Sequence, residues 1–312
     1  MVNKEHFIPE GKKCVLLICT DFELAWAWRF SKFYQNSKNH AEQRAIIERR
    51  NIPIILELAD TFQIPLTFAT VGHLALEICE KDNENYHPDI FKIQPFNDNY
   101  WRYTEGWFNY DTCENPETSK FYKCPDLIQL ILNSKVKHEV ACHTFSHINC
   151  NEKVCSHQVF ESEIEKCKKI FNKLGIELTS FVFPGNVLGY IKLLKDFGFN
   201  SYRDDNNDIL GYPKQVLPGF WEIKSTSQII FRDYWSLDYN IRYYLKIIKK
   251  AIETNSVCYL WFHPSHSEQE FFSILSSIFD FSNNERDKIH ISTTGDYINW
   301  LNSYVGMDNQ KY

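Results

Sequence analysis

The apolar positions of this chain fall into short unbroken runs, separated by longer stretches in which apolar residues recur at helical spacing. "KKCVLLICTD" (12–21) is the first run. It predicts a buried strand whose end opens onto a polar face. Residues 41–62, "AEQRAIIERRNIPIILELADTF", predict a helical region that Pro53 splits or restarts. "IPLTFAT" (64–70) is the next strand, which completes a strand–helix–strand unit. Further on, "PDLIQLILNS" (125–134) predicts a helix opened by Pro125, and "KHEVACH" (137–143) a third strand. "SHQVFESEIEKCKKIFNKLGI" (156–176) is amphipathic and stops at Gly175; "LTSFVFPGN" (178–186) is a fourth strand. The same alternation runs on: a helix over 188–199, a short strand in "NSYRDD" (200–205) and a helix over 243–255. The strand "SVCYLWFHP" (256–264), a helix over 268–287, the strand "IHISTT" (289–294) and a closing helix over 295–304 follow.

Strands that alternate with helices, with no internal repeat and no break in composition, point to one α/β domain over residues 1–312. The expected architecture is a parallel sheet or an incomplete (β/α) barrel of about seven strands. One stretch breaks the pattern. Residues 80–124 are polar, aromatic and weakly periodic, which predicts an insertion covering part of a site.

Composition narrows the function. The chain has 34 Lys and Arg against 40 Asp and Glu, a formal charge of −6, and no basic stripe, which argues against a nucleic-acid partner. No run approaches the roughly 18 apolar residues of a membrane span. "CVLLIC" is too short for a signal-peptide core, so a cytoplasmic location is the expectation. The ten cysteines include no Cys-x-x-Cys and are scattered through the predicted elements, so most are expected to be buried thiols. Cys150 and Cys155, beside a histidine-rich stretch, are the pair to watch.

In barrel-like sheets chemistry gathers at the C-terminal ends of the strands. Four ends carry reactive or unusual groups here: Asp21 and Glu23 in "TDFELAW", His143 and His147 in "HTFSH", Pro184–Asn186 in "FPGN", and His263 in "LWFHP". If the chain turns helical after the third strand, His143 and His147 share a face and can meet one cation. A carboxylate from the first strand would complete three protein ligands. Asp21 could instead cap a helix, and His263 could be a satisfied core histidine. His138 begins its strand, away from the predicted mouth, and is expected to be structural.

These residues, in this order, resemble the polysaccharide deacetylase family, the NodB-homology or carbohydrate esterase 4 type. Asp21-Phe22-Glu23 is similar to its acidic first motif, "HTFSH" matches its His-(Ser/Thr)-x-x-His motif, and "FVFPGN" and "LWFHP" are similar to its later ones. The resemblance runs from about residue 13 to about 300. It implies a distorted, incomplete (β/α) barrel and metal-assisted removal of an acyl group from an amino sugar. It implies Asp21 as general base, Glu23, His143 and His147 as ligands of a divalent metal, usually zinc, and His263 as general acid. Pro184, Gly185, Asn186, Trp261 and Arg203 are the expected substrate-binding residues. The chain departs from the pattern twice. Many members have Asp where Glu23 stands, and the third motif has no Arg, a place that Arg203 or Arg232 could fill, with Asp233 orienting His263.

The expected substrate is a cytoplasmic N-acylated amino sugar, free or carried on a nucleotide or lipid, in surface-polysaccharide biosynthesis, with Trp101 and Trp107 of the insertion holding it. The alternatives are an amidohydrolase acting on a linear amide or ureido compound, and a non-catalytic carbohydrate-binding relative.

Overall fold

The computed structural model describes residues 7–83, 85–104, 106–109, 115–205, 210–266 and 268–308, with side chains to 304. The apolar run 14–22 becomes β1 (Cys14–Phe22), buried at every position as a strand covered on both faces must be. It is followed by α1 (Ser37–Phe62), β2 (Thr67–Thr70), two small hairpins, β3 (Lys81–Asp82) with β4 (Asn85–Tyr86) and β5 (Phe96–Asn97) with β6 (Arg102–Tyr103), then α2 (Pro116–Ser119) and α3 (Pro125–Leu132). β7 (Glu139–Cys142), α4 (His157–Lys173), β8 (Ser180–Val182), α5 (Ile191–Asp196), β9 (Ser201–Asp204), β10 (Lys214–Leu217), β11 (Phe220–Lys224) and β12 (Ser227–Gln228) come next. The chain closes with α6 (Leu237–Thr254), β13 (Val257–Phe262), α7 (Gln269–Asn284), β14 (Ile289–Ser292) and α8 (Thr294–Asp308).

Ten strands form one sheet in the order β10-β11-β9-β8-β7-β2-β1-β13-β12, with β14 also on β1. Every pairing is parallel except β10 with β11. This is the expected incomplete barrel, with more strands than the seven predicted. The surplus comes from short edge pieces such as β12, two residues long, which carry no hydrophobic period to read. β1 is the hub. Its first half pairs β14 (Cys14↔Ile289 to Leu17↔Ser292), its second half pairs β2 (Cys19↔Thr67 to Phe22↔Thr70), and β13 runs along its other edge.

Pro53 does not split α1, which is continuous for 26 residues. The proline is on the exposed side of the helix, where water can solvate the carbonyl left without its N–H donor. Gly175 ends α4 as predicted, with φ at +73° just beyond the last helical turn. Among the described residues eight cysteines are buried free thiols, Cys150 and Cys155 among them; Cys79, directly before the insertion, is disulfide-bonded. Residues 84, 105 and 110–114 of the insertion lie outside the described residues.

Candidate active site

Parallel strands bring the ends of β1, β7, β8, β9 and β13 to one rim, and the four predicted groups meet there. Asp21 is the penultimate residue of β1, and Glu23 follows the strand. The backbone turns at Leu24 (φ +50°), and the buried carboxyl of Glu48 on α1 accepts the N–H groups of Glu23 (2.8 Å) and Leu24 (3.1 Å). Burial pushes the Glu48 carboxyl up to about 8. Asp21 caps no helix: residues 24–30 are a series of turns, and α1 starts only at Ser37.

The histidines reach the site by a tight turn, not the helical stretch the spacing suggested. Thr144 and His147 both have φ of +57°, a conformation that costs energy in a residue with a Cβ and has to be held by its surroundings. Glu163 on α4 does the holding. It accepts the Ser146 N–H at 2.7 Å and the Ser146 hydroxyl at 2.6 Å, while the Trp107 indole donates to the same hydroxyl at 2.8 Å. Burial pushes Glu163 up to about 7. The turn leaves the rings of His143 and His147 5.1 Å apart, both on Glu23.

One oxygen of Glu23, Oε1, is 3.0 Å from His143 Nε2 and 3.1 Å from His147 Nε2. His143 Nδ1 lies 2.8 Å from the Val182 carbonyl, which can only accept, so Nδ1 carries a proton. A neutral His143 then turns its Nε2 lone pair towards a carboxylate oxygen. That contact repels unless a cation lies between the two or the ring takes a second proton. The backbone carbonyl behind the ring is the support that metal-ligating histidines use. Burial depresses the proton affinity of His147, which favours its neutral, ligating form. Burial also opposes charge on Glu23, but His263, His147 and His143 outweigh it and hold the carboxyl well below the usual range. The second oxygen, Oε2, is buried with no hydrogen-bond partner. The donor atoms of Glu23, His143 and His147 all lie within 4.8 Å of one another, so the residues present fit the divalent metal that the sequence resemblance implies.

Asp21 is gripped by Arg203 from β9 through two parallel bonds of 2.6 Å. Arg203 also donates to Asn186 Oδ1 at 3.2 Å, and its guanidinium stacks 4.5 Å from the Trp261 ring. Of the two arginines that the sequence offers for the gap in the third motif, Arg203 is the one that reaches Asp21. Arg232 is elsewhere, donating to the Tyr244 hydroxyl, and Asp233 is exposed. His263 is oriented by Gln228, whose side-chain amide is 3.2 Å from Nδ1. An amide nitrogen can only donate, so the neutral His263 carries its proton on Nε2, which faces Glu23 Oε2 at 3.7 Å. Asn51 on α1 fixes the following loop by donating to the carbonyls of Pro264 (2.7 Å) and His266 (2.6 Å).

Above these groups is a cleft of about 520 Å³, walled by Trp28, Trp101, Gly185, Asn186 and Trp261, with Asp21, Glu23, His147 and His263 at its floor. Trp101 and Trp107 part company. Trp101 borders the cleft, its ring 5.5 Å from His147, whereas Trp107 is buried in the core beside Phe30. Pro184 is buried beneath the loop and Arg203 beneath Asp21, while Gly185, Asn186 and Trp261 face the cleft. His138 is structural, with Nδ1 accepting the Leu66 N–H at 3.1 Å. Sequence reasoning missed Asp205, which accepts from Asn186 (2.9 Å) and from the Trp261 indole (3.1 Å) and so sets one wall.

The fold is shared with solved structures at low identity. A Mycobacterium smegmatis protein assigned as a polysaccharide deacetylase matches with a TM-score of 0.65 and 14% identity, over 95% of this chain and 92% of that one. Puue allantoinase matches at 0.64 and 12%, over 96% and 93%. A Pseudomonas aeruginosa PAO1 protein assigned as a polysaccharide deacetylase matches at 0.60 and 12%, over 95% and 93%. No protein-family model and no curated protein matches the chain. The likeness establishes the fold that these proteins share; polysaccharide deacetylases and an allantoinase are both built on it, so the fold alone does not name the substrate.

Proposed function

We propose that this chain is a metal-dependent hydrolase that removes an N-acyl group, acetyl being the first candidate, from a small amino sugar or its carrier-linked form. The observation that carries the reading is the single Glu23 oxygen faced by two imidazole nitrogens, with a second carboxylate and a third imidazole beside it. Glu23, His143 and His147 would hold the metal. Two imidazoles and one carboxylate are a set that catalytic zinc sites use, so the longer Glu in place of Asp suits the role. A divalent cation bound there supplies Lewis acidity, polarising an amide carbonyl and acidifying a water.

The chain's own residues do the rest. Asp21 takes a proton from the attacking water, and the two bonds from Arg203 keep its carboxylate aimed. His263, when doubly protonated, gives its Nε2 proton at the cleft floor to the departing amine and is left as the neutral ring. Arg203 is therefore a positioning residue for the base. Trp28, Trp101 and Trp261 offer apolar faces to a sugar ring, and Asn186 and Asp205 offer polar partners at the rim. A cleft of about 520 Å³ is the size of a small-molecule site.

The test compares hydrolysis of N-acetylated amino sugars with hydrolysis of linear amides and ureido compounds, with allantoin beside them. Acetate release from the sugars, lost in Asp21→Asn with the metal retained, is the expected result. The second reading, an amidohydrolase for ureido compounds, has the allantoinase fold match behind it, and turnover of those compounds alone would establish it. Equal metal content in wild type and His143→Ala would overturn the ligand assignment.

A further inference from the structure

A second cluster lies behind the histidine turn. His73 is in the 3-10 turn after β2, Cys79 precedes the β3–β4 hairpin and His87 directly follows it. All three are buried, at 0%, 8% and 0% exposure. His73 Nε2 is 3.1 Å from His87 Nε2 and 3.5 Å from Cys79 Sγ. The three donor atoms fall within 4.8 Å of one another. For tetrahedral zinc, bonds of about 2.05 Å to nitrogen and 2.3 Å to sulfur put two nitrogens roughly 3.3 Å apart and nitrogen roughly 3.6 Å from sulfur. The observed spacings are close to both.

The tautomer supports the same conclusion. His73 Nδ1 lies 3.0 Å from the Tyr122 carbonyl, so it carries the proton, and the neutral ring aims its Nε2 lone pair at His87 and Cys79. The shell is dry and aromatic: Trp26 and Phe145 pack on His73, and Phe108 and Phe145 on His87, with ring centroids 4.6 to 5.3 Å apart. Two imidazoles and a sulfur converging in such a shell form a soft, closed donor set, unlike the oxygen-containing set at the cleft.

We propose that, with Cys79 reduced, His73, Cys79 and His87 bind one structural Zn²⁺ that ties the base of the β3–β4 hairpin to the end of β2. A disulfide sulfur is not a thiolate, so the oxidised and metal-bound forms are alternatives. A thiol or phosphine reductant supplies two electrons, two protons complete the thiols, and zinc then displaces the Cys79 proton. A fourth donor, from the chain or from water, completes the tetrahedron. The metal would brace the histidine turn as well, because Gly72 and His73 donate their N–H groups to the Thr144 and Phe145 carbonyls at 2.9 Å.

The test is metal content and cobalt spectroscopy on the full chain, purified without chelator in the presence of a phosphine. Zinc near two equivalents per chain is expected, falling to near one in Cys79→Ser or His87→Ala. Cobalt substitution of the reduced wild type should give a near-ultraviolet thiolate-to-cobalt band, absent in Cys79→Ser and after oxidation. His143→Ala should keep this band, because the cleft cluster has no thiol, and so the two sites can fail separately. No band in the reduced wild type, or a band that survives Cys79→Ser, would overturn the proposal.

Discussion

The two clusters share the turn 143–147 and use it in opposite ways. The turn sends His143 and His147 to Glu23 at the cleft floor, while Phe145 packs on His73 and His87 behind it. Each cluster offers two imidazoles and one anion-forming group. At the cleft floor that group is a carboxylate with one buried oxygen that makes no hydrogen bond and faces His263. Behind the turn it is a sulfur, sealed under aromatic rings. A centre that has to meet a substrate needs hard donors and an open position; one that only joins chain segments needs a closed shell. Similar residues are thus suited to chemistry on one side and to fastening on the other.

The largest expected effect is at the open cluster. Asp21→Asn should lower turnover by at least about 100-fold, the usual contribution of a general base, with metal content unchanged. Turnover within a few-fold of wild type would remove Asp21 from the role. Chelator should then separate the clusters by rate. Dialysis against 1,10-phenanthroline is expected to strip the cleft metal and activity first, while zinc behind the turn exchanges slowly; simultaneous loss would mean the second site is not sealed. Gly185→Ala should act on binding more than on chemistry. Its φ is +57° and a Cβ would come within 2.5 Å of Trp101, so KM is expected to rise about tenfold with a smaller change in kcat, consistent with about 1.4 kcal/mol lost from one wall of the cleft.

The last effect bears on stability, not turnover, and concerns a histidine in neither cluster. Burial, only partly opposed by Asp60, lowers His138 from 6.5 to about 4. The unfolded chain therefore takes up this proton first. The stabilising contribution is complete above about pH 6.5 and is lost as pH falls towards about 4, a change of up to about 3 kcal/mol. Denaturant titrations of His138→Gln should show a shallower loss over that window. An unchanged slope would mean that other groups govern the acid limb.

Much of this was legible in the sequence because it rests on local periodicity. β1, β7 and β13 are apolar runs, and the polar residues that end them are where parallel strands deliver chemistry. What escaped depends on partners far apart in the chain. Glu48 and Glu163 read as ordinary helical glutamates, yet a signal was present. Glu48 falls in the buried stripe Ala41, Ala45, Ile52, Ile55, and Glu163 in the stripe Phe160, Ile164, Cys167, Phe171. A carboxylate on the apolar side of a helix has to be holding something. Arg203 and Arg232 are equivalent in the sequence as fillers of the gap in the third motif, and the pairing of β8 with β9, which carries Arg203 to Asp21, separates them. Cys79 and His87 gave no hint, since a polar hairpin parts them and His73 belongs to another segment. The helical turn expected between His143 and His147 failed because spacing alone does not reveal two residues at positive φ.

Trp101 has a consequence for the order in which the molecule comes apart. It is bridged to Ser31, packs over His147 and presses on Gly185, three partners that follow three different strands. A contact that spans three segments opens when any one of them shifts, so this wall is expected to open before the sheet unfolds. Heating should therefore silence the protein some degrees before the sheet melts, and cooling from that interval should restore it without refolding the barrel.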